Sequence, residues 1–297
     1  MQCESCPAGP DTDLCEPCYA AMQAGRVQHP PPDARRAASI QGPHRFRAVN
    51  GQARDAGERW QAVPDVATIA PFVANGFIVR PVFTARSESA LGSYGFVVRD
   101  ESGVLLLTAL HVLDEVIRAH SIDCSEDNSF YTGDELAAVI DDVILYDVLA
   151  SKWMTAELGR ANRMLRLPQA RLPRQVPYSQ CDIAAFVVAP SAHLFPGLLA
   201  THPAARGEPV WLLTRADAGG GSRLTPAVVV EETPETFIFR YMSQQPPPER
   251  ASGAPVLNTT GEVVAIYVGS GALNGRRFGH GHHVASIRRH LTVAGAW

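Results

Sequence analysis

The stretch Val104-Leu105-Leu106-Leu107-Thr108-Ala109-Leu110-His111 decides how the rest of the chain is interpreted. An apolar run, typical of a buried strand, ends at Thr108, and residues 109–119 follow with a short helical pattern. The sequence therefore predicts that His111 lies where a strand passes into a helix. A lone histidine in this setting can be a satisfied core residue or a working base, so other segments must decide between these roles.

Two distant segments complete a possible reactive group. They are Cys181-Asp182-Ile183-Ala184 and Arg250-Ala251-Ser252-Gly253-Ala254-Pro255. A serine hydroxyl reacts usefully at neutral pH when an imidazole takes its proton and a buried carboxylate orients that imidazole. Taken singly, Asp182 could be a turn residue and Ser252 part of an ordinary loop. The order histidine, aspartate, serine predicts a triad of His111, Asp182 and Ser252. Asp142 and Asp147 are rival acids without the same strand context.

Short strand-like runs dominate the chain from about residue 62, and 24 glycines and 23 prolines suit a loop-rich β protein. The runs form two series, separated between Asp182 and Val210. They predict an all-β domain over 62–297, with barrels over about 62–190 and 205–297 and a cleft between them.

Four cysteines crowd into the first 18 residues with the spacing C-x2-C-x8-C-x2-C. Such paired knuckles predict a tetrahedral structural zinc site, and so small a segment would be unfolded without its metal. The alternative is a flexible, reactive tail. We predict a zinc module over 1–20, followed by a proline- and arginine-containing linker over 21–61. Four thiolates leave no open position on the metal, so no cofactor is expected for catalysis. The predicted zinc ligands are Cys3, Cys6, Cys15 and Cys18.

The composition argues against binding to a membrane or to nucleic acid. The formal net charge is −4, no run of 18 apolar residues occurs, and the N-terminus lacks the basic and apolar regions of a secretory signal. We therefore expect a cytoplasmic protein. The linker contains a modest basic patch, which is interpreted most simply as solvent-exposed charge. The patch consists of Arg35, Arg36, Arg45 and Arg47.

From about residue 72 to 290 the chain resembles the chymotrypsin-like serine peptidases, particularly the bacterial group that includes the HtrA-type enzymes. The resemblance rests on segments 94–98, 107–112, 182–184, 252–256 and 261–266. It implies two six-stranded antiparallel β-barrels with the active site in the cleft. It also implies that His111 is the general base, Asp182 orients it, and Ser252 forms the acyl-enzyme. The backbone amides of Arg250 and Ser252 would form the oxyanion hole.

Two departures from the family pattern affect this interpretation. Arg250 stands where the family usually has glycine, so the peptide could flip and leave the oxyanion hole unformed until substrate or a partner binds. Alternatively, the arginine could reach into the substrate site as a charged group. Ala251 replaces the aspartate of zymogen-activated relatives, which argues against activation by insertion of a new N-terminus.

The resemblance also implies a specificity pocket in the second barrel. Proline, rather than an acid, lies near its base, so a preference for lysine or arginine is not supported. A histidine in the wall would favour an acidic or amide side chain, although the segment 279–283 could instead be a weak metal site. The predicted pocket residues are Pro246, Tyr267, Val268, Gly269, Ser270, His282 and His283.

These observations predict an intracellular serine endopeptidase that acts on a protein or peptide and carries a zinc module for a docking or activating protein. The first alternative is a pseudopeptidase, which binds peptides in the cleft without cleaving them. The second is a zinc-dependent interaction or nucleic-acid-binding protein, against which the acidic balance argues. No resident PDZ domain of the HtrA kind is expected, because the last predicted strand lies close to residue 297.

Overall fold

The computed structural model describes most of the chain after residue 75. The described residues are 2–3, 46–47, 76–85, 88–100, 103–113, 130–148, 156–167, 170–173, 181–215, 222–232, 236–242, 250–273 and 276–295. In the first 75 residues only the two-residue strands β1 (Gln2–Cys3) and β2 (Phe46–Arg47) are described, and they pair antiparallel.

Six antiparallel strands close the first barrel in the order β3-β5-β6-β11-β9-β8, and β8 pairs with β3 to complete the circle. The short strand β4 pairs antiparallel with residues 82–85 of β3. The strands are β3 (Ile78–Ala85), β4 (Glu88–Leu91), β5 (Gly95–Asp100), β6 (Gly103–Thr108), β8 (Ile140–Asp147), β9 (Glu157–Met164) and β11 (Ala184–Val188). A separate pair, β7 (Phe130–Thr132) and β10 (Arg171–Pro173), accompanies the barrel, and helix α1 (Gly133–Val139) follows β7.

Pro81 lies within β3 at the point where the neighbour on one edge changes. Residues 78–79 pair with β5, whereas residues 82–85 pair with β4. A proline has no N–H to give to a ladder, so this change of partner is a position that tolerates it. The proline alone predicts an edge strand or a bulge, whereas β3 is paired with β8 on one side and with β5 and β4 on the other.

The second barrel also has six antiparallel strands, in the closed order β12-β13-β14-β17-β16-β15. The strands are β12 (Pro209–Arg215), β13 (Ser222–Glu232), β14 (Thr236–Tyr241), β15 (Pro255–Leu257), β16 (Val263–Leu273) and β17 (Arg276–His283). Helix α2 (Val284–Val293) follows β17 directly. The predicted all-β fold with two six-stranded barrels is therefore confirmed.

Large apolar side chains fill both barrels. Phe83, Phe96 and Phe186 are fully buried in the first barrel, and Trp211 and Phe237 are fully buried in the second. Neither helix in the described part of the chain has the length and hydropathy needed to cross a bilayer.

Two local predictions differ from the structure, and one segment with two possible structures forms a strand. The helical pattern after Ala109 forms a 3-10 helix over Leu110–Leu113, and the residues that would continue it lie outside the described part. The sequence of 153–167 suits either a strand or a helix, and the structure forms the strand β9 within it. The sequence of 283–287 predicts a final strand, which is wrong, because β17 ends at His283 and α2 begins at Val284. The Nδ1 atom of His283 accepts a hydrogen bond from the Ala285 N–H at 3.2 Å, and this cap starts the helix.

Candidate active site

The strand register of the first barrel brings His111 and Asp182 together. Strands β6 and β11 are antiparallel, with Thr108 opposite Ala184. His111 follows Thr108 by three residues in the 3-10 helix, and Asp182 precedes Ala184 by two. The last residues of one strand and the residues before the other therefore meet at one end of the barrel.

His111 and Asp182 are joined by two hydrogen bonds. The Nδ1 atom of His111 lies 2.5 Å from Oδ2 of Asp182, and the His111 backbone N–H donates to Oδ1 at 2.8 Å. An ionised carboxylate only accepts hydrogen bonds, so the ring proton lies on Nδ1 and Nε2 is left as the basic atom. The imidazole is 31% exposed, whereas the carboxylate is 3% exposed. The pair thus combines a buried anchor with an accessible base.

Asp182 is held as a carboxylate despite its burial. Burial alone raises the pKa of this carboxyl, but the His111 charge and the hydrogen bond from the His111 ring act in the opposite direction. His282 and the His111 backbone N–H add to this lowering. The result is a pKa for Asp182 below its ordinary value, so the group is ionised across the neutral range.

The rival acids have other positions. Asp142 lies on β8, where its Oδ2 accepts a hydrogen bond from the Nη1 atom of Arg160 at 2.7 Å. Asp147 ends the same strand, and its backbone pairs with Val79 and Ala156. Asp182 is therefore the acid that the fold joins to His111.

Ser252 lies in a tight turn that precedes β15 of the second barrel and contacts the first barrel. The Tyr94 N–H donates to the Ser252 carbonyl oxygen at 3.1 Å. Gly253 has φ +85°, and a Cβ at this position would lie 2.1 Å from the Tyr94 carbonyl oxygen and 2.4 Å from Oγ1 of Thr108. Only a glycine permits this approach. Because Thr108 ends the strand that leads to His111, the turn sits beside the same strand end.

The Ser252 hydroxyl has a defined partner on the other flank of the turn. Its Oγ atom donates to the Val268 carbonyl oxygen at 3.0 Å. The turn is further held by β16, since the Gly253 N–H donates to the Tyr267 carbonyl at 2.8 Å. Two of the predicted pocket residues, Tyr267 and Val268, are therefore the strand residues that support the serine.

Arg250 has a positive φ, a backbone conformation that glycine adopts without strain. Its φ is 59°, and it is the only described residue other than glycine with a positive φ. This left-handed conformation costs an ordinary residue about 1–2 kcal/mol. The arginine is exposed and stands two residues before Ser252.

The remaining predicted residues divide into two sets. Gly269 and Ser270 lie on β16, opposite His280 and Gly279 of β17. Pro246 lies outside the described residues, as do Cys6, Cys15 and Cys18, and Cys3 is described only as part of β1. No group of three or more metal-ligating side chains occurs among the described residues.

His282 and His283 are buried and engaged with the protein itself. The Nε2 atom of His282 accepts a hydrogen bond from the backbone N–H of Asp182 at 2.8 Å. His283 caps α2, and its ring centroid lies 6.0 Å from that of Phe237. The histidine pattern thus supplies supports for the acid and for a helix, whereas a role of either ring in a substrate pocket stays a prediction.

His280, which the sequence includes only in the possible metal-binding segment 279–283, is a neighbour of the site. It lies two residues before His282 on β17, and is half-buried. Burial, the charge of His282 and that of His111 outweigh the opposing effect of Asp182 and lower the pKa of His280 to about 4. Alternate residues of a strand share a face, which places His280 on the face of His282.

The comparisons with known proteins agree with this fold. Residues 92–266 match the family model described as a trypsin-like peptidase domain. This match spans more than half of the chain, and the protein belongs to the trypsin-like peptidase domain family.

Solved structures of the Rv3671c protease from M. tuberculosis are similar in fold. The active form has 19% sequence identity and a TM-score of 0.47, with coverage of 80% of this chain and 89% of that one. An inactive form has 18% identity and a TM-score of 0.46, with coverage of 79% and 98%. A search of curated protein sequences found no match.

Replacing His282 tests its support of the acid. His282→Leu removes the acceptor of the buried Asp182 N–H, and an orphaned buried donor costs about 1–3 kcal/mol. We expect the free energy of unfolding, measured in urea, to fall by about 2 kcal/mol. His282→Gln, whose amide oxygen can accept the same hydrogen bond, should recover most of the loss. Equal stability of the leucine variant and the wild type would contradict this role.

The buried histidines should make the fold sensitive to mild acid. Burial lowers the pKa of His283, and His280 is lowered to about 4, so unfolding lets both rings take up protons once the pH falls below about 6.5. The unfolded chain then binds more protons than the folded one. Stability should therefore decline as the pH is lowered from 6.5 to about 4.

Urea unfolding at a series of pH values measures this decline. The matched variant combines His280→Gln with His283→Asn, because asparagine caps a helix without titrating. It should show a shallower slope between pH 6.5 and 4. An unchanged slope would show that other groups cause the acid sensitivity.

Proposed function

We propose that this protein is a serine endopeptidase in which Ser252 attacks the peptide carbonyl, His111 transfers the proton, and Asp182 orients the imidazole. The observation that carries the proposal is the 2.5 Å contact between Nδ1 of His111 and Oδ2 of the buried Asp182. It fixes one tautomer of the ring and leaves Nε2 as a base on the exposed side. Membership of the trypsin-like peptidase family supports the same reaction class.

In the proposed reaction, Nε2 of His111 removes the Ser252 hydroxyl proton while Oγ bonds to the substrate carbonyl carbon. The imidazolium that forms is stabilised by the Asp182 carboxylate. The same proton then passes to the amine of the leaving group as the peptide bond breaks. Water attacks the resulting ester with His111 as base again, which releases the second product and restores Ser252.

The backbone N–H groups of Arg250 and Ser252 are the proposed donors to the oxyanion. Such donors each contribute about 2.7–4 kcal/mol to the transition state. Arg250 at φ 59° supports this assignment, since the side chain has not prevented the glycine-like backbone that the family position uses. The strain of that conformation makes this peptide a sensitive part of the site.

The conformation of the Ser252 side chain supports the proposal that the enzyme rests in a state in which the serine is not ready to react. The one proton of the Ser252 hydroxyl points to the Val268 carbonyl oxygen. Proton transfer to His111 requires the hydroxyl proton to turn away from Val268, with loss of this hydrogen bond, which is worth about 1 kcal/mol. We propose that substrate, or a partner, shifts this balance when it occupies the cleft.

A second candidate is a peptide-binding module without catalysis. The observation that favours it is the hydrogen bond from the Ser252 hydroxyl to the Val268 carbonyl oxygen, which occupies the proton that His111 would have to remove. It predicts that peptides bind in the cleft and that Ser252 never reacts. The two candidates therefore differ in the chemistry of a single hydroxyl.

A reactive-serine experiment separates them. Wild type should be labelled by a fluorophosphonate probe and should cleave a denatured protein substrate, with and without added cell lysate. Ser252→Ala should lose both properties because it lacks the nucleophile, with hydrolysis falling by at least about 10³-fold. Ser89→Ala, an exposed serine on β4 whose hydroxyl lies 3.0 Å from that of Thr84, is the matched control and should still be labelled.

Cleavage by folded Ser252→Ala would contradict the peptidase proposal. Peptide binding without labelling of the wild type under any condition would establish the binding module instead. Circular dichroism of both variants shows whether they keep the β fold.

For substrate choice, we propose that the β16–β17 side of Ser252 receives the side chain before the cleaved bond. Gly269 and Ser270 of β16 lie opposite His280 and Gly279 there. This location supports a preference for an acidic or amide side chain, because these four described residues carry no anionic group to pair with a lysine or arginine.

The N-terminal cysteines are the proposed structural zinc site and the docking point for a partner protein inside the cell. Their spacing supports four-thiolate coordination. The structure describes only the backbone of Cys3, so the proposal rests on the sequence. Zinc would order the segment and takes no part in peptide hydrolysis.

Metal analysis of the purified full chain tests this site. We expect one zinc ion per chain, lost in the double variant Cys6→Ser, Cys15→Ser because two thiolates cannot hold the ion tightly. Cleavage of a short peptide should be unchanged. Cys124→Ser is the control and should retain zinc. A wild type without stoichiometric zinc would contradict the proposal.

A further inference from the structure

Three arginines from three separate elements gather around Tyr94, beside the Ser252 turn. The Tyr94 hydroxyl accepts a hydrogen bond from the Arg215 backbone N–H at 3.2 Å, and the Tyr94 backbone N–H donates to Ser252. Gly92 lies two residues before Tyr94, and its carbonyl oxygen accepts a hydrogen bond from Nε of Arg80 at 3.2 Å. We refer to the arginine cluster, which consists of Arg80, Arg215 and Arg250.

Arg215 and Arg250 both act electrostatically on Arg80. Burial lowers the pKa of Arg80, and Arg250 and Arg215 lower it further against the opposing effect of Tyr94. Like charges that a fold holds close together repel and raise the energy of the folded protein, unless an anion binds between them. The cluster therefore forms a local positive region on a chain whose net charge is −4.

The cluster can reach a ligand in the cleft. Arg250 is exposed, and Arg80 and Arg215 are half-buried. Neither Arg215 nor Arg250 forms an ion pair with a residue in the described ranges. A guanidinium binds a carboxylate through paired N–H groups, so a carboxylate is the chemistry that these side chains suit best.

The position of the cluster relative to Ser252 indicates which part of a bound peptide would reach it. One flank of the serine turn bonds to Tyr267 and Val268 of β16, the proposed side for the residue before the cleaved bond. The 252–253 peptide is trans, so its carbonyl, bonded to Tyr94, faces away from its N–H, bonded to Tyr267; Arg215 and Arg80 attach to the Tyr94 side through the Tyr94 hydroxyl and the Gly92 carbonyl. A peptide that crosses Ser252 from the first flank therefore carries its leaving-group residues toward the arginines.

We propose that the arginine cluster is a specificity site for acidic residues immediately after the cleaved bond. The inference rests on the proposed peptidase function. Each partly exposed guanidinium–carboxylate contact changes affinity by about two- to fivefold, so two contacts give about tenfold. The preference depends on charge and weakens with salt, because solvent ions screen exposed pairs.

Matched peptides test the proposal. They share one sequence and differ only at the two positions after the cleaved bond, which carry two glutamates, two glutamines or two lysines. We expect kcat/KM to fall about tenfold from glutamate to glutamine, and further for lysine, at low ionic strength. The glutamate advantage should shrink to about threefold or less in 0.5 M salt.

Two arginine variants make the test specific. Arg215→Gln removes one charge and keeps the backbone hydrogen bond to Tyr94, and should reduce the glutamate advantage by about threefold. Arg206→Gln is the matched control. Arg206 precedes β12 and Arg215 ends it, so they lie roughly 20 Å or more apart, and the control should leave the advantage intact.

The outcomes separate this proposal from the peptidase function. Equal Ser252-dependent cleavage of the glutamate and glutamine peptides would overturn the acidic preference and leave the peptidase intact. If no peptide is cleaved, fluorescence anisotropy measures binding of the labelled peptides to Ser252→Ala. Glutamate-selective binding that weakens in Arg215→Gln supports the site, and binding indifferent to charge overturns it.

Discussion

The arrangement depends on one buried interaction, the pair of hydrogen bonds between His111 and Asp182. The carboxylate accepts from both the ring and the backbone of the same histidine, so it fixes the imidazole's position as well as its tautomer. A carboxylate that is 3% exposed is stable only if such donors replace its water. Loss of either donor would leave an anion buried between the barrels.

The second barrel contributes to the same interaction from the other side of the cleft. His282 accepts the Asp182 backbone N–H, and the Ser252 turn packs against Tyr94. Gly253 makes the closest approach, with a carbonyl and a hydroxyl where any Cβ would lie. The barrels are therefore joined at the residues on which the proposed chemistry depends, and a relative shift of the barrels would disturb acid, base and nucleophile together.

Much of this could be predicted from the sequence because its signals are local. The apolar run that ends at Thr108 and the strand after Asp182 place the base and the acid at strand ends, and the Gly253 motif marks the turn. Contacts between residues 100 positions apart leave no such pattern, which is why the link from His282 to Asp182 was not foreseen. Arg80 lies in an ordinary strand, and only the fold brings it to Tyr94. The sequence of 283–287 predicts a strand where α2 begins, because a capping histidine has no apolar periodicity to reveal the helix start.

The most direct test of the account is a proton NMR spectrum of the protein with nitrogen-15 in its histidine rings. A short hydrogen bond between Nδ1 of His111 and Oδ2 of Asp182 should give a far-downfield proton resonance split by that nitrogen. The signal should vanish in Asp182→Ala and persist in Asp142→Ala. A wild-type spectrum without this resonance at low temperature, or one in which it survives loss of Asp182, would contradict the central claim.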